Sequence, residues 1–279
     1  MNPCRLSSTF ETSGGYDEVA PRGAADGRRV DKIVVEERSI ELPARWSKTI
    51  EFNKNTARQL LVPPRKARIL TGGGSAWAVA DGHRWPIAAA PASAHADLIR
   101  RKDGRLAWVS GKLPDTPAKV QSSLAGAFRL PALSSSSPSH QGLRSPQIGA
   151  LLAVFAHWTT GSLQPATVVM PTGTGKTDTM VAVFAAERPE RLLVLVPSDV
   201  LRSQTAGKFE TLGVLPELGV VSDQAKRPVV GRVGHSFESV DTARAFARAC
   251  NVVVATPSAL SESDESVRQA FLGPVSRIS

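Results

Sequence analysis

In the stretch VVMPTGTGKT, Val168 to Thr177, residue type and spacing together prescribe a chemistry. An apolar run stops at Pro171, Gly173 and Gly175 alternate with Thr172 and Thr174, and Lys176 and Thr177 close the string. Glycines so placed let backbone N–H groups converge on phosphate oxygens without side chains in the way. A helix that starts at Lys176 adds the positive end of its dipole. Lys176 can then neutralise the β- and γ-phosphates of a nucleoside triphosphate, and the Thr177 hydroxyl can reach the Mg²⁺ that travels with it. The pattern GxxxxGK[S/T] is departed from at its first position, where Met170 stands. Thr172, Gly173, Thr174, Gly175, Lys176 and Thr177 are the candidate phosphate-binding residues, and Lys176 and Thr177 the candidates for acting on the reacting phosphate.

In the expected order such a loop lies at the turn between a buried strand and a helix. The runs TVVM from Thr167, LLVLV from Leu192 and VVVA from Val252 are apolar on both faces and are separated by segments of helical length. They predict an α/β fold, a parallel sheet with helices on both sides. A helix is expected from Lys176 through Ala186. Ahead of the loop, Ile148, Leu151, Leu152 and Phe155 make the stripe of an amphipathic helix ending near Gly161. ESDES, Glu262 to Ser266, reads as a solvated loop or a helix start.

The N-terminal half has a different texture. Residues 1–29 are polar and Gly-rich, and are expected to be a disordered tail. Residues 30–130 predict a small, basic, strand-containing module: KTIEF alternates like a half-buried strand, and Asp81-Gly82 and Asp103-Gly104 each lie between apolar arms, as in tight hairpins. Trp46, Trp77, Trp85 and Trp108 fall in this module. They could present a stacking surface for unpaired bases, but hairpin alternation favours filling a small core. SSSSPSH, Ser134 to His140, marks a linker over 131–142, leaving 143–279 for the α/β domain.

Composition narrows the classes. The 279 residues are 42% apolar and 21% charged, with a net charge of +9. Residues 1–140 hold 21 Lys and Arg against 13 Asp and Glu, whereas 141–279 hold 13 against 12. The basic half fits a polyanionic partner. No apolar run is long enough for a bilayer and the N-terminus lacks a secretory pattern, so no membrane is expected and the cytoplasm is the expected compartment. Cys4 and Cys250 cannot build a disulfide framework or a metal site. Cys250 reads as a small buried residue, and His157 as packed or solvated.

On the string PTGTGKT and three shorter matches, residues 141–279 resemble superfamily 2 helicases, and within them the DEAD/DEAH-box group that includes the ATPase subunits of type III and type I restriction enzymes. The resemblance implies a RecA-like P-loop lobe, present in part. LRSPQ, Leu143 to Gln147, is similar to the motif whose Gln reads adenine, since an amide can pair with both N6 and N7. LVLVPSDVLRSQTAGKFETLG, Leu193 to Gly213, resembles the motif that grips a nucleic acid backbone, with Ser198 and Arg202 as candidates. VVVATPSAL, Val252 to Leu260, resembles the Thr-Pro motif, with Thr256 on a phosphate. The resemblance further implies ATP and Mg²⁺ as cofactors and nucleic acid as partner, DNA ahead of RNA. Modification or nuclease subunits are expected if the protein is restriction-enzyme-like.

The group also needs an Asp-Glu-x-His string to hold Mg²⁺ and place the attacking water. No such string occurs in the 279 residues. The expectation is therefore the N-terminal part of a longer motor, ending inside its first lobe and unable to hydrolyse ATP by itself. The alternatives are a non-hydrolysing nucleotide-binding module, or an unrelated P-loop enzyme such as a kinase.

Overall fold

The computed structural model describes residues 34–72, 74–88, 97–109, 111–130, 142–161 and 164–273. The expected tail at 1–29 and the Ser134–His140 linker lie outside the described residues. In chain order the strands β1 (Val34–Leu42), β2 (Arg45–Trp46), β3 (Ile50–Phe52), β4 (Asn55–Val62), β5 (Arg65–Gly72), β6 (Ser75–Ala80), β7 (His83–Ala88), β8 (Leu98–Arg100) and β9 (Leu106–Trp108) come first. Helices α1 (Pro117–Leu124), α2 (Ser145–Thr159) and α3 (Lys176–Glu187) follow. Then come β10 (Leu192–Leu195), α4 (Asp199–Thr211), β11 (Val229–Val233), α5 (Val240–Ala249), β12 (Val252–Ala255), α6 (Pro257–Ser261) and α7 (Glu265–Leu272).

The first sheet runs β1-β5-β6-β7-β8-β9 and is antiparallel except at β7 and β8. Its β6–β7 hairpin closes on Asp81 and Gly82, both at positive φ (48° and 75°), which is the twist a two-residue hairpin turn needs. Leu42, Ala67, Ala78, Trp85, Leu98 and Leu106 form its core. Trp85 meets Trp108 edge-on at 6.0 Å, and the Trp108 Nε1–H donates to the Pro43 carbonyl at 2.9 Å. The Arg58 guanidinium covers Trp46 at 4.1 Å and that of Arg45 covers Trp108 at 4.5 Å. These ring faces are used within the protein.

The second sheet runs β10-β12-β11-β4-β2, with β3 also on β4. Its strands β10, β12 and β11 are parallel; the apolar runs predict this for β10 and β12. Alternate residues face opposite ways: Val252, Val254, Leu192, Val194 and Val230 join one core with α1, α2, α3 and α4, while Val253, Ala255, Val229 and Val233 join another with α5, α6 and α7. Helices on both sides follow directly from strands that are apolar on both faces.

Two expectations are corrected. The sheet is mixed, because β4 from the N-terminal half runs antiparallel along β11, pairing Gln59 with Val229 and Ala57 with Gly231. The run at Thr167–Met170 forms no strand, and Val169 is 89% exposed. A strand exists only where a ladder partner takes up its N–H and C=O groups, and no described strand lies beside this run. The central strand β11 was not among the predicted strands; Gly231 and Arg232 interrupt its apolar run.

Three polar side chains, two of them buried, bind β4 to the α/β half. Asn55 Oδ1 accepts from the N–H groups of Gly234 (2.9 Å) and His235 (3.1 Å), and its Nδ2 donates to the His235 carbonyl (3.0 Å). Gln59 Nε2 donates to the Arg227 carbonyl at 2.7 Å, and its Oε1 accepts from the Asp115 N–H at 2.7 Å. Arg58 makes a paired contact with Glu210 of α4, at 2.9 and 3.1 Å.

Gly231 sits where this sheet is tightest. A Cβ there would lie 2.7 Å from both Cys250 Sγ and Phe246 Cζ. Cys250 is fully buried, as its apolar setting implied, and burial pushes its thiol pKa up. Gly231→Ala is expected to cost roughly 1–3 kcal/mol through overpacking, read as a lower Tm in thermal unfolding. An unchanged Tm would mean that α5 shifts freely, against this packing.

Candidate functional site

The phosphate loop lies between Pro171 and the start of α3. Gly173 (φ 82°) and Gly175 (φ 88°) both occupy the left-handed region, where a side chain would be strained. Thr174 Oγ1 donates to the Pro171 carbonyl at 2.7 Å and closes the loop on itself. Gly175 is the N-cap residue of α3, and its carbonyl accepts from the Thr179 N–H at 2.9 Å and from Thr179 Oγ1 at 3.2 Å. Helix geometry leaves the first N–H groups of α3 without helical acceptors. Among the described residues, no backbone carbonyl takes up the N–H of Gly173, Gly175, Lys176 or Thr177. Open space surrounds the Gly173 α-carbon, and Lys176 is exposed and forms no ion pair among the described residues. This arrangement of free donors, positive helix end and one unpaired ammonium fits a polyphosphate.

Gln147 joins the loop from the first turn of α2. It is only 4% exposed; Oε1 accepts from the Arg144 N–H at 2.9 Å, and Nε2 donates to the Gly175 carbonyl at 3.3 Å. A Cβ on Gly175 would come within 2.5 Å of Gln147 Nε2, so the amide rests on that glycine. Arg144, which the sequence reading left without a role, donates from Nη1 to the Gly173 carbonyl at 3.2 Å. Its signal was the same Arg-x-x-Gln string. Both ends of the Gln147 amide are thus engaged by the protein.

Thr177 lies on the wall of a cavity of about 650 Å³ between α3 and α4, together with Gln204, Lys208 and Glu217. Next to it, Asp178 pairs with Lys208 at 3.2 Å and ties the first turn of α3 to α4. Among the described residues no cluster of three His, Cys, Asp or Glu gathers at the loop or elsewhere.

The three candidates for nucleic acid contact sit at the carboxyl ends of the parallel strands. Ser198 caps α4 directly after β10, accepting from the Leu201 N–H at 3.4 Å, and is exposed. Thr256 caps α6 directly after β12, but it is buried, and its hydroxyl is shared between the Ala259 N–H and Ser258 Oγ. Arg202 is largely covered: it pairs with Asp199 at 2.8 Å and donates to the Val233 carbonyl at 3.1 Å. The strand register, Leu195 beside Ala255 and Val233 beside Ala255, brings all three to the carboxyl end of the parallel strands, where α/β proteins gather ligands. His157 Nε2 lies 2.9 Å from the Gln164 carbonyl.

Comparison with known proteins agrees with this geometry. Residues 140–273 match the family model described as type III restriction enzyme, res subunit. No curated protein and no solved structure matches the chain. The matched span contains the α2 brace, the phosphate loop, α3 and the strand ends that carry Ser198, Arg202 and Thr256. Over residues 140–273 the chain is thus similar to the type III restriction enzyme res subunit family, whose model describes a helicase superfamily 2 ATPase domain.

Proposed function

We propose that this chain is the ATP-binding part of a motor that couples ATP hydrolysis to movement on nucleic acid, with DNA as the preferred track. The observation that carries the reading is the open loop at 172–177, with unclaimed N–H groups and an exposed Lys176 at the start of α3. Loop amides would hold the phosphate chain, Lys176 would meet the terminal phosphates, and Thr177 would turn its hydroxyl to Mg²⁺. Mg²⁺, arriving with the nucleotide, supplies charge neutralisation between the β- and γ-phosphates. Ser198, Arg202 and Thr256 would hold the nucleic acid backbone, which positions the track without reading its sequence. For Arg202 this means exchanging its bond to Asp199 for a phosphate.

Coupling between the two ligands is the direct test. If nucleic acid and nucleotide act on one machine, a single-stranded oligonucleotide must change the Kd of Mg-ATP, and Mg-ATP must change the Kd of the oligonucleotide by the same factor. Calorimetry with DNA and RNA oligonucleotides also ranks the two tracks. Mg-ATP binding that ignores both would favour an unrelated ATP-dependent enzyme.

Gln147 has two separable roles in this reading, base selection and bracing of the loop. If it reads adenine, Gln147→Ala lowers ATP affinity by roughly 1–3 kcal/mol and leaves GTP unchanged. Competition binding of ATP and GTP distinguishes the outcomes. Equal losses for both nucleotides would assign Gln147 to bracing Gly175 alone.

A further inference from the structure

A cavity of about 810 Å³, lined by residues of both sheets, plays no part in the phosphate loop. Its walls are the end of β4, Arg65 at the start of β5, His83 and Trp85 of β7, and the segment Asp223–Arg227 that leads into β11. Five basic side chains line it against three carboxylates. Three of the five are arginines, Arg45, Arg65 and Arg227, and each leaves a buried Nε without a hydrogen-bond partner. Arg65 is paired with Asp81, Arg45 with Asp97 at 3.1 Å, and Lys226 with Asp115 at 2.9 Å. Among the described residues Arg227 forms no ion pair. Burial first, and the neighbouring Arg65 second, hold its guanidinium below the usual pKa, while Asp223 acts the other way.

Buried donors without acceptors cost roughly 1–3 kcal/mol each, so a cavity lined by three such arginines is suited to an acceptor that several of them can share, such as an anion. Guanidinium groups in a half-enclosed site bind phosphate with paired N–H donors. We propose that this cavity binds a small phosphate-bearing anion, held by Arg65 and Arg227, which clamps the N-terminal sheet onto the approach to β11. The site rests on its own residues, independent of the phosphate loop. A bound phosphate cancels the repulsion between Arg65 and Arg227, so occupancy stiffens the joint that Gln59 already makes with the Arg227 carbonyl.

The test uses the whole chain carrying Lys176→Ala, which weakens the phosphate loop, with inorganic phosphate, a nucleoside monophosphate and a short single-stranded oligonucleotide as probes. Phosphate and the monophosphate should compete for one site and raise Tm. Arg227→Gln should lower their affinity at least tenfold while leaving the Tm of the unliganded protein equal or higher, since a repelled buried charge is removed. Arg65→Gln should weaken binding in the same way and serves if Arg227→Gln does not fold. No phosphate binding in the Lys176→Ala chain, or unchanged affinity in the arginine variants, overturns the proposal. An oligonucleotide that displaces phosphate and loses its own binding with Arg227→Gln would also overturn it, by making the cavity part of a nucleic acid interface.

Discussion

Lys176→Ala is expected to raise the Kd for Mg-ATP by about 10- to 150-fold, the equivalent of roughly 1.5–3 kcal/mol for a lost charged hydrogen bond. The loop offers several backbone donors, but Arg144 is turned to the Gly173 carbonyl, whereas Lys176 is exposed and forms no ion pair among the described residues. The fold should be untouched, because the side chain is exposed and α3 is held by Val181, Ala182 and Phe184. Calorimetry with Mg-ATP, beside a thermal melt, separates the two effects. An unaltered Kd would remove Lys176 from the site and with it the reading of the loop.

Glu210→Ala should cost more than any other single change described, roughly 3–5 kcal/mol of stability. Glu210 is 2% exposed on α4, and its carboxylate accepts from Arg58 of β4 and from Arg232 of β11 at 2.8 Å. Removing it leaves two partly exposed guanidinium groups without their shared carboxylate, one of which, Arg232, already has an unpaired Nε. Urea unfolding measures the loss. Replacing Arg58, Arg232 and Glu210 together by Met, Met and Leu should recover much of it, since a buried ion cluster repays little beyond its own desolvation. A loss below about 1 kcal/mol in the single variant would show that water enters and screens the cluster. Because Arg58 also covers Trp46, the same substitution should loosen β2 and β4 and expose them to limited proteolysis.

The phosphate loop and its flanking helices were legible because their signals are local. Glycines at left-handed positions, a helix opening at Lys176, the stripe of α2 and the Asp81-Gly82 hairpin all depend on residues within a few positions of one another. So did the buried character of β10 and β12, whose apolar faces on both sides called for helices on both sides. The run at 167–170 carries the same apolar signal and yet forms no strand and leaves Val168 and Val169 exposed, because a strand is made by its neighbour and no described strand supplies one.

By itself, the sequence pointed to a phosphate-binding loop and determined the helices around it and the parallel character of β10 and β12, since each follows from spacing along the chain. Only the tertiary structure decided that β4 joins the same sheet as β11, that Arg58 and Arg232 meet over Glu210, and that Gln147 spends its amide on the loop. These pairings span tens to more than a hundred residues. Their partners are chosen by complementary burial and hydrogen bonding in space, for which a linear pattern holds no register.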